Sequence, residues 1–422
     1  MDINKLLRGV DCSCGRKHTC DIEFVYIEKN AIARLREVCI ESRSVLIVAD
    51  ENTYSVAGEQ SVAALEGKRI ERVIFDGSVV LVPDEAAIDR VTRTLGDADT
   101  IVGIGSGVIQ DLCKYVSHES GIPYVIVATA PSMDGYASDG AAMITGGMKV
   151  TYHAGLPRAI IADTAVLKDA PTSMIRAGYG DIIGKFSALN DWKLSRCING
   201  EYFCDYVYKT TYGQISRTLE LADGLRSRNE ESVRALMEAL VVIGIMMSFA
   251  GSSRPASGSE HHLSHFFEIT GILTGSPYLP HGIDVAYSTV VTASLRERLL
   301  ARQFPRRVIH PDRNALSARL QDIYHESAES CMALQDKIGS YTRDLSSIYT
   351  EKEAEIREIL SEMPSSEEIK AMLSLADYDI SKFYSLYGED KISDALLYAK
   401  ELKDRYTVLW LSYDLWGDDR LK

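Results

Sequence analysis

A chain of 422 residues has length for two domains, and its 46% hydrophobic and 25% charged residues are the balance of a globular protein, not of a disordered or collagen-like one. A formal charge of −14 argues against general nucleic-acid binding, which needs basic surface to displace counterions. It leaves room for a phosphorylated small ligand, which a few local cations or backbone N–H groups can hold. Eight cysteines in a chain this long do not make a disulfide scaffold, so reduced thiols and a cytoplasmic location are expected.

Residues 1–10 carry charges and no uninterrupted apolar block, so no secretory signal is expected. Cys12, Cys14, His18 and Cys20 follow within a short span and are all zinc-compatible. Structural zinc sites usually draw two ligand pairs from separate knuckles, and no second pair is evident. An ordinary N-terminal turn with free thiols is therefore the expectation, with a metal site as the alternative.

From there the chain alternates between short apolar, β-branched runs and helical stretches. Strands are predicted at 44–49, 72–75, 100–104 and 124–128, with helices at 54–65, 84–95 and 109–117 between them. This alternation predicts an α/β domain with a mostly parallel sheet covered on both faces, whose ligands lie at the carboxyl ends of the strands. Asp50, at the end of the first strand, is placed to meet an adenosine ribose.

Two loops at adjacent strand ends carry the ligand argument. The first is Gly105-Ser106-Gly107-Val108-Ile109-Gln110-Asp111, where missing Cβ atoms let N–H groups approach a pyrophosphate at a helix N-terminus, although the spacing is not Gly-x-Gly-x-x-Gly. The second is Thr129-Ala130-Pro131-Ser132-Met133-Asp134-Gly135, continuing to Ser138. Together they suit a dinucleotide.

After Pro171 the pattern turns helical over 173–194, 202–225, 230–249, 282–302 and 315–350. The most apolar run, 239–250, is about half the roughly 20 residues a membrane span needs, so a buried helix is expected there. The domain boundary is placed at 168, giving an α/β domain over 1–168 and a helical metal- and substrate-binding domain over 169–422. Asp181 and Lys185 share one helical face, where a solvated ion pair is the plain reading. Asp181, His261 and His281 are the candidate metal set: a carboxylate and two imidazoles with coordination positions left for water or substrate.

These segments, with Gly178-Tyr179-Gly180-Asp181, the stretch Ser253-Arg254-Pro255-Ala256-Ser257-Gly258-Ser259-Glu260-His261, and Pro280-His281-Gly282, resemble the sn-glycerol-1-phosphate dehydrogenase family. That family belongs to the iron-containing alcohol dehydrogenase superfamily, beside glycerol dehydrogenase and dehydroquinate synthase, and the resemblance spans about residues 44–292. It implies a dehydroquinate synthase-like fold, NAD(H) or NADP(H), and one divalent ion: zinc or nickel ahead of iron, held by Asp181, His261 and His281. It further implies nicotinamide-dinucleotide contacts from Gly107, Val108, Ile109, Gln110, Asp111, Thr129, Ala130, Pro131, Ser132 and Ser138. Asp134, Asp181 and His265 are implied to meet the substrate, and a homo-oligomer is suggested.

The implied reaction interconverts dihydroxyacetone phosphate and sn-glycerol 1-phosphate by hydride transfer. Asp134 and His265 are the candidates to orient the substrate hydroxyl or relay a proton. Arg254 is the leading candidate for the substrate phosphate, since a guanidinium makes paired hydrogen bonds to phosphate oxygens, with Ser253, Ser257, Ser259 and Lys185 assisting. Bracing the loop before His261 is the competing role for Arg254. A glycerol dehydrogenase acting on uncharged polyols, a dehydroquinate synthase-like cyclase, and a non-catalytic nucleotide or metal sensor are the alternatives. Asp181 where the cyclase branch uses Glu, together with the Arg254 motif, disfavours the cyclase.

Overall fold

The apolar runs of the first half are what strands buried on both faces require. The computed structural model describes residues 2–145, 148–306 and 308–417. A short hairpin of β1 (Val10–Asp11) and β2 (Lys17–His18) precedes β3 (Phe24–Glu28), β4 (Ser44–Asp50), β5 (Arg69–Phe75), β6 (Thr100–Gly105) and β7 (Tyr124–Ala128). A second hairpin, β8 (Gly140–Thr145) with β9 (Met148–His153), comes before β10 (Ala159–Asp163). Six of these form one sheet in the order β3-β10-β7-β6-β4-β5, every neighbour parallel. The central strands β4, β6, β7 and β10 are buried almost throughout, whereas the edge strand β5 is largely exposed over its first half and buried only at Val73 and Phe75.

The order of the strands places the crevice. From β4 the chain steps outward to β5 and then returns to lay β6 on the other side of β4, so the strand order reverses between β4 and β6. In open α/β sheets ligands bind at the carboxyl ends beside such a reversal. Helices α1 (Glu51–Ala64), α2 (Glu85–Leu95) and α3 (Gly107–Ser120) follow β4, β5 and β6. Asp50 accepts from Thr53 N at 2.8 Å and closes a capping box on α1, so its carboxylate is used to start that helix.

Long helices further along the chain include α4 (Thr172–Asn199), α5 (Asp205–Glu220), α6 (Glu230–Ala250), α7 (Ser259–Thr274) and α8 (His281–Leu300). The chain divides into one compact unit of Met1–Ile182 with Ser216–Ser252, and a second of Ile183–Ile215 with Ser253–Lys422. The division therefore does not fall at 168. The first unit keeps the start of α4 and takes back α6, because α6 packs on the turn that follows β7. A Cβ on Gly244 of α6 would lie 2.7 Å from Ala137 Cβ and 2.9 Å from Asp134 O. By length and composition α6 could cross a membrane, but 78% of its most apolar window is buried inside the protein, and it serves as a core helix.

Among the described residues the second unit is helical. The stretch expected as one helix over 315–350 is broken into Arg313–Tyr324, Ala328–Lys337 and Ser346–Glu351, with left-handed backbone at His325 (φ 48) and Gly339 (φ 72) between them. Its core gathers Phe266, Phe267, Tyr287, Leu320, Phe383 and Trp410.

Candidate active site

In the first unit, β6 ends at Gly105 and α3 begins at Gly107 with only Ser106 between them. A Cβ on Gly105 would lie 2.7 Å from Ile109 Cβ, so only glycine lets α3 come this close to the strand it leaves. Gly107, Val108 and Asp111 are partly exposed at the helix start, where N–H groups and the helix dipole favour an anion, while Ile109 is packed inward. Gln110 is fully buried, and its Nε2 donates to Tyr136 O at 2.9 Å, so its side chain holds the 134–138 turn. Lys114, missed in the sequence, does the same work by donating to Gly140 O at 2.7 Å.

The second loop runs beside the first. Thr129 N donates to Gly105 O at 3.1 Å, and Tyr136 Oη donates to Ala130 O at 2.7 Å, which fixes Thr129, Ala130, Pro131 and Ser132 against the glycine turn. Ser138 Oγ donates to Gly135 O at 3.2 Å. Asp134 N donates to Asp181 Oδ2 at 2.9 Å, so the loop's backbone holds the carboxylate singled out as a metal ligand. Gly178 explains the approach: a Cβ there would lie 1.9 Å from Pro131 O, so any side chain would force α4 off the loop. Asp181 is fully buried, and Lys185 is buried too, so neither side chain is the solvated group expected from the sequence.

In the second unit, three imidazoles converge. The ring centroids of His261 and His265, on one face of α7, are 6.3 Å apart; His281, opening α8, lies 5.1 Å from His261 and 5.6 Å from His265. Two imidazoles sharing a tetrahedral ion at metal–nitrogen distances of about 2.0–2.1 Å stand about 5 Å apart between centroids, which fits the His261–His281 pair. Glu260, missed in the sequence although adjacent, accepts from His261 Nδ1 at 2.7 Å and from Gly258 N at 2.8 Å. It thereby fixes the tautomer that turns Nε2 outward, as a carboxylate behind a metal-binding histidine does. Burial, with Asp191 nearby, raises Glu260 to about 7. Burial first, then the charges of Lys185, His281, Lys403 and His265, hold His261 well below its usual range, in the neutral form that binds metals.

Arg254 is placed otherwise than expected. It is buried, with Nε donating to Glu201 Oε1 at 2.7 Å, Nη1 to Tyr406 O at 2.8 Å, and Nη2 to Ser195 Oγ at 3.1 Å and to Glu201 Oε2. Its fork is occupied in bracing the segment before His261, the competing role for it. The C-terminal loop brings two further cations to Ser257: Lys403 Nζ donates to Ser257 Oγ at 3.4 Å, and Arg405 Nη1 to Ser257 O at 3.0 Å. Arg405 Nε and both ring nitrogens of His262 are buried and have no hydrogen-bond partner among the described residues. His262 lies in the fields of Lys403, Arg405 and Arg254. Burial and the Arg254 charge bring Arg405 down to about 10.

Comparison with known proteins agrees with this architecture. Residues 26–171 match the family described as iron-containing alcohol dehydrogenase. The chain is 38% identical over 293 residues to the glycerol-1-phosphate dehydrogenase (NAD(P)+) of Halalkalibacterium halodurans, covering 68% of this chain and 73% of that one. It is 30% identical over 413 residues to the enzyme of the same name from Geobacillus stearothermophilus, covering 96% of each. In structure it resembles glycerol dehydrogenase from Schizosaccharomyces pombe, with a TM-score of 0.54 at 18% identity over 87% of this chain and 92% of that one. The chain belongs to the iron-containing alcohol dehydrogenase family and, within it, to the glycerol-1-phosphate dehydrogenases.

Proposed function

We propose that the chain interconverts dihydroxyacetone phosphate and sn-glycerol 1-phosphate, using NAD(H) or NADP(H) and one divalent ion. The observation that carries the reading is the His261–His281 pair at 5.1 Å, with His261 keyed by a buried carboxylate. Asp181, His261 and His281 are the proposed ligands, and a carboxylate with two imidazoles suits zinc or nickel, with iron the alternative. When bound, the ion polarises the carbonyl oxygen as a Lewis acid and the nicotinamide supplies the hydride.

The chain's own residues do the rest. The start of α3, with Gly105 to Asp111, receives the coenzyme phosphates, and the loop from Thr129 to Ser132 with Ser138 receives the nicotinamide half. Asp134 and His265 orient the substrate hydroxyl and relay its proton. Lys403 and Arg405, gathered on Ser257, bind the substrate phosphate in place of Arg254.

Oxidation of NADH and NADPH with dihydroxyacetone phosphate, using chelated protein restored with zinc, nickel or iron, tests the proposal. Metal-dependent turnover is expected; none under any combination sinks it and favours a non-catalytic sensor. Equal efficiency with dihydroxyacetone would favour a polyol dehydrogenase. A charged hydrogen bond is worth about 1.5–3 kcal/mol, so Lys403→Ala or Arg405→Ala should raise KM for the phosphorylated substrate roughly 10- to 100-fold. KM for dihydroxyacetone should hardly move.

A further inference from the structure

The hairpin at the N-terminus holds a cluster that the oxidoreductase chemistry does not use. β1 and β2 pair Val10 with His18 and Asp11 with Lys17. The turn between them is closed by Cys12 N donating to Arg16 O at 3.2 Å and Gly15 N to Cys12 O at 3.0 Å, with Gly15 at φ 86. This folding brings the donor atoms of Cys12, Cys14 and His18 within 4.8 Å of one another. Cys14 Sγ and His18 Nε2 are 3.5 Å apart. At zinc–sulfur and zinc–nitrogen distances of about 2.3 and 2.0–2.1 Å, a tetrahedral ion holds a sulfur and a nitrogen about 3.6 Å apart, so this pair already has the coordination spacing.

The imidazole is oriented as a ligand is. His18 is 1% exposed, and its Nδ1 donates to Phe249 O at 2.8 Å, in the last turn of α6. That bond fixes the tautomer, turns Nε2 towards the thiols and satisfies one of the carbonyls a helix end leaves over. The ring also stacks on Phe249, with centroids 5.2 Å apart at 11°. Cys20, grouped with these residues in the sequence, behaves differently: it is buried, bonded to Ser248, and its thiol is pushed up by burial. We infer that Cys12, Cys14 and His18 bind a structural zinc ion, which ties the N-terminal hairpin to the end of α6 and takes no part in hydride transfer.

Two thiolates separate this centre spectroscopically from a carboxylate–imidazole site. Protein loaded with cobalt should show a near-ultraviolet thiolate-to-cobalt band in the wild type and in His261→Ala, and none in the Cys12→Ser/Cys14→Ser double variant. Purified His261→Ala should retain about one zinc per chain, against none at this site in the double variant. If the double variant does not fold, the wild type still decides: alkylation mapped by mass spectrometry should spare Cys12 and Cys14 until a chelator is added. Serine replacement of Cys20, Cys39, Cys113, Cys197, Cys204 and Cys331 in turn then identifies the fourth ligand: a further loss of the band names a third thiolate, and unchanged spectra give that position to water. Absence of the cobalt band in the wild type, or alkylation of both thiols at the same rate with and without chelator, overturns the inference.

Discussion

Arg254→Ala separates bracing from phosphate binding. The guanidinium is buried and donates to both carboxylate oxygens of Glu201, to Ser195 Oγ and to Tyr406 O. Breaking a buried ion pair from one side costs about 3–5 kcal/mol, because the partner is left without compensation. The Glu201 side chain is 31% exposed, so water takes up part of its demand, and the expected loss falls to about 2–4 kcal/mol. With a urea slope of roughly 2 kcal/mol/M the unfolding midpoint should fall by about 1–2 M. The three tryptophans, Trp192, Trp410 and Trp416, all belong to the unit that contains Arg254, so intrinsic fluorescence reads the relevant transition. Arg254→Lys, which keeps the charge and loses the fork, should recover less than half of the loss. The reasoning is refuted if Arg254→Lys unfolds at the wild-type midpoint while KM for dihydroxyacetone phosphate rises tenfold and KM for dihydroxyacetone stays put.

Gly178→Ala should raise KM for the reduced coenzyme about tenfold or more and lower the melting temperature, because its Cβ would meet Pro131 O at 1.9 Å. Gly213→Ala in α5, where a Cβ meets nothing within 4 Å, is the control and should be neutral or stabilising by about 0.5–1 kcal/mol, read in the same melts. Glu260→Gln should weaken the activating ion about 10- to 100-fold, measured by titrating metal back into chelated enzyme; unchanged metal affinity would remove Glu260 from its positioning role. Asp414, buried and raised from 3.8 to about 6, favours its protonated form in the folded chain, so stability should fall as pH rises from about 4 to 6, by at most about 3 kcal/mol. Asp414→Asn should make that slope shallower by Asp414's share in urea midpoints taken across the interval, leaving the part that Glu260, raised to about 7, contributes.

What could be read from the sequence followed the strength of each local signal. β4, β6 and β7 stood out because burial on both faces demands unbroken apolar runs, and the glycines at 105 and 107 marked where β6 turns into α3. β3 and β10, only five residues each, were missed: β3 is a partly exposed edge strand, and β10 follows an inserted hairpin that breaks the alternation. The compact units are discontinuous in sequence, which a single boundary at 168 does not describe, because α6 is separated in sequence from the sheet unit to which it returns. At the site, the imidazole spacing predicted the shared face of His261 and His265, since helical periodicity is local. The bracing role of Arg254 was one of two readings the sequence left open, because a sequence displays a charge without its partners, here Glu201 and Tyr406, which are far along the chain. Lys403 and Arg405 carried no motif and reach Ser257 only through the fold.

Asp191 shows why the C-terminal segment matters to the site although it resembles nothing informative in sequence. One oxygen accepts from Ser259 N at 2.7 Å, at the start of α7; the other accepts from Val408 N at 2.9 Å, at the start of the helix Val408–Trp416, and from Arg296 at 2.7 Å. Two helix N-termini thus face one buried carboxylate, whose charge both helix dipoles favour and Arg296 balances. His261 follows Ser259 by two residues, so the position of an imidazole proposed to hold the ion is set partly by where the C-terminal helix begins. The same anchoring places Arg405, Tyr406 and Lys403 beside Arg254 and Ser257. The residues proposed for the phosphate and for the ion therefore share one support, and a change in the C-terminal loop should reach both.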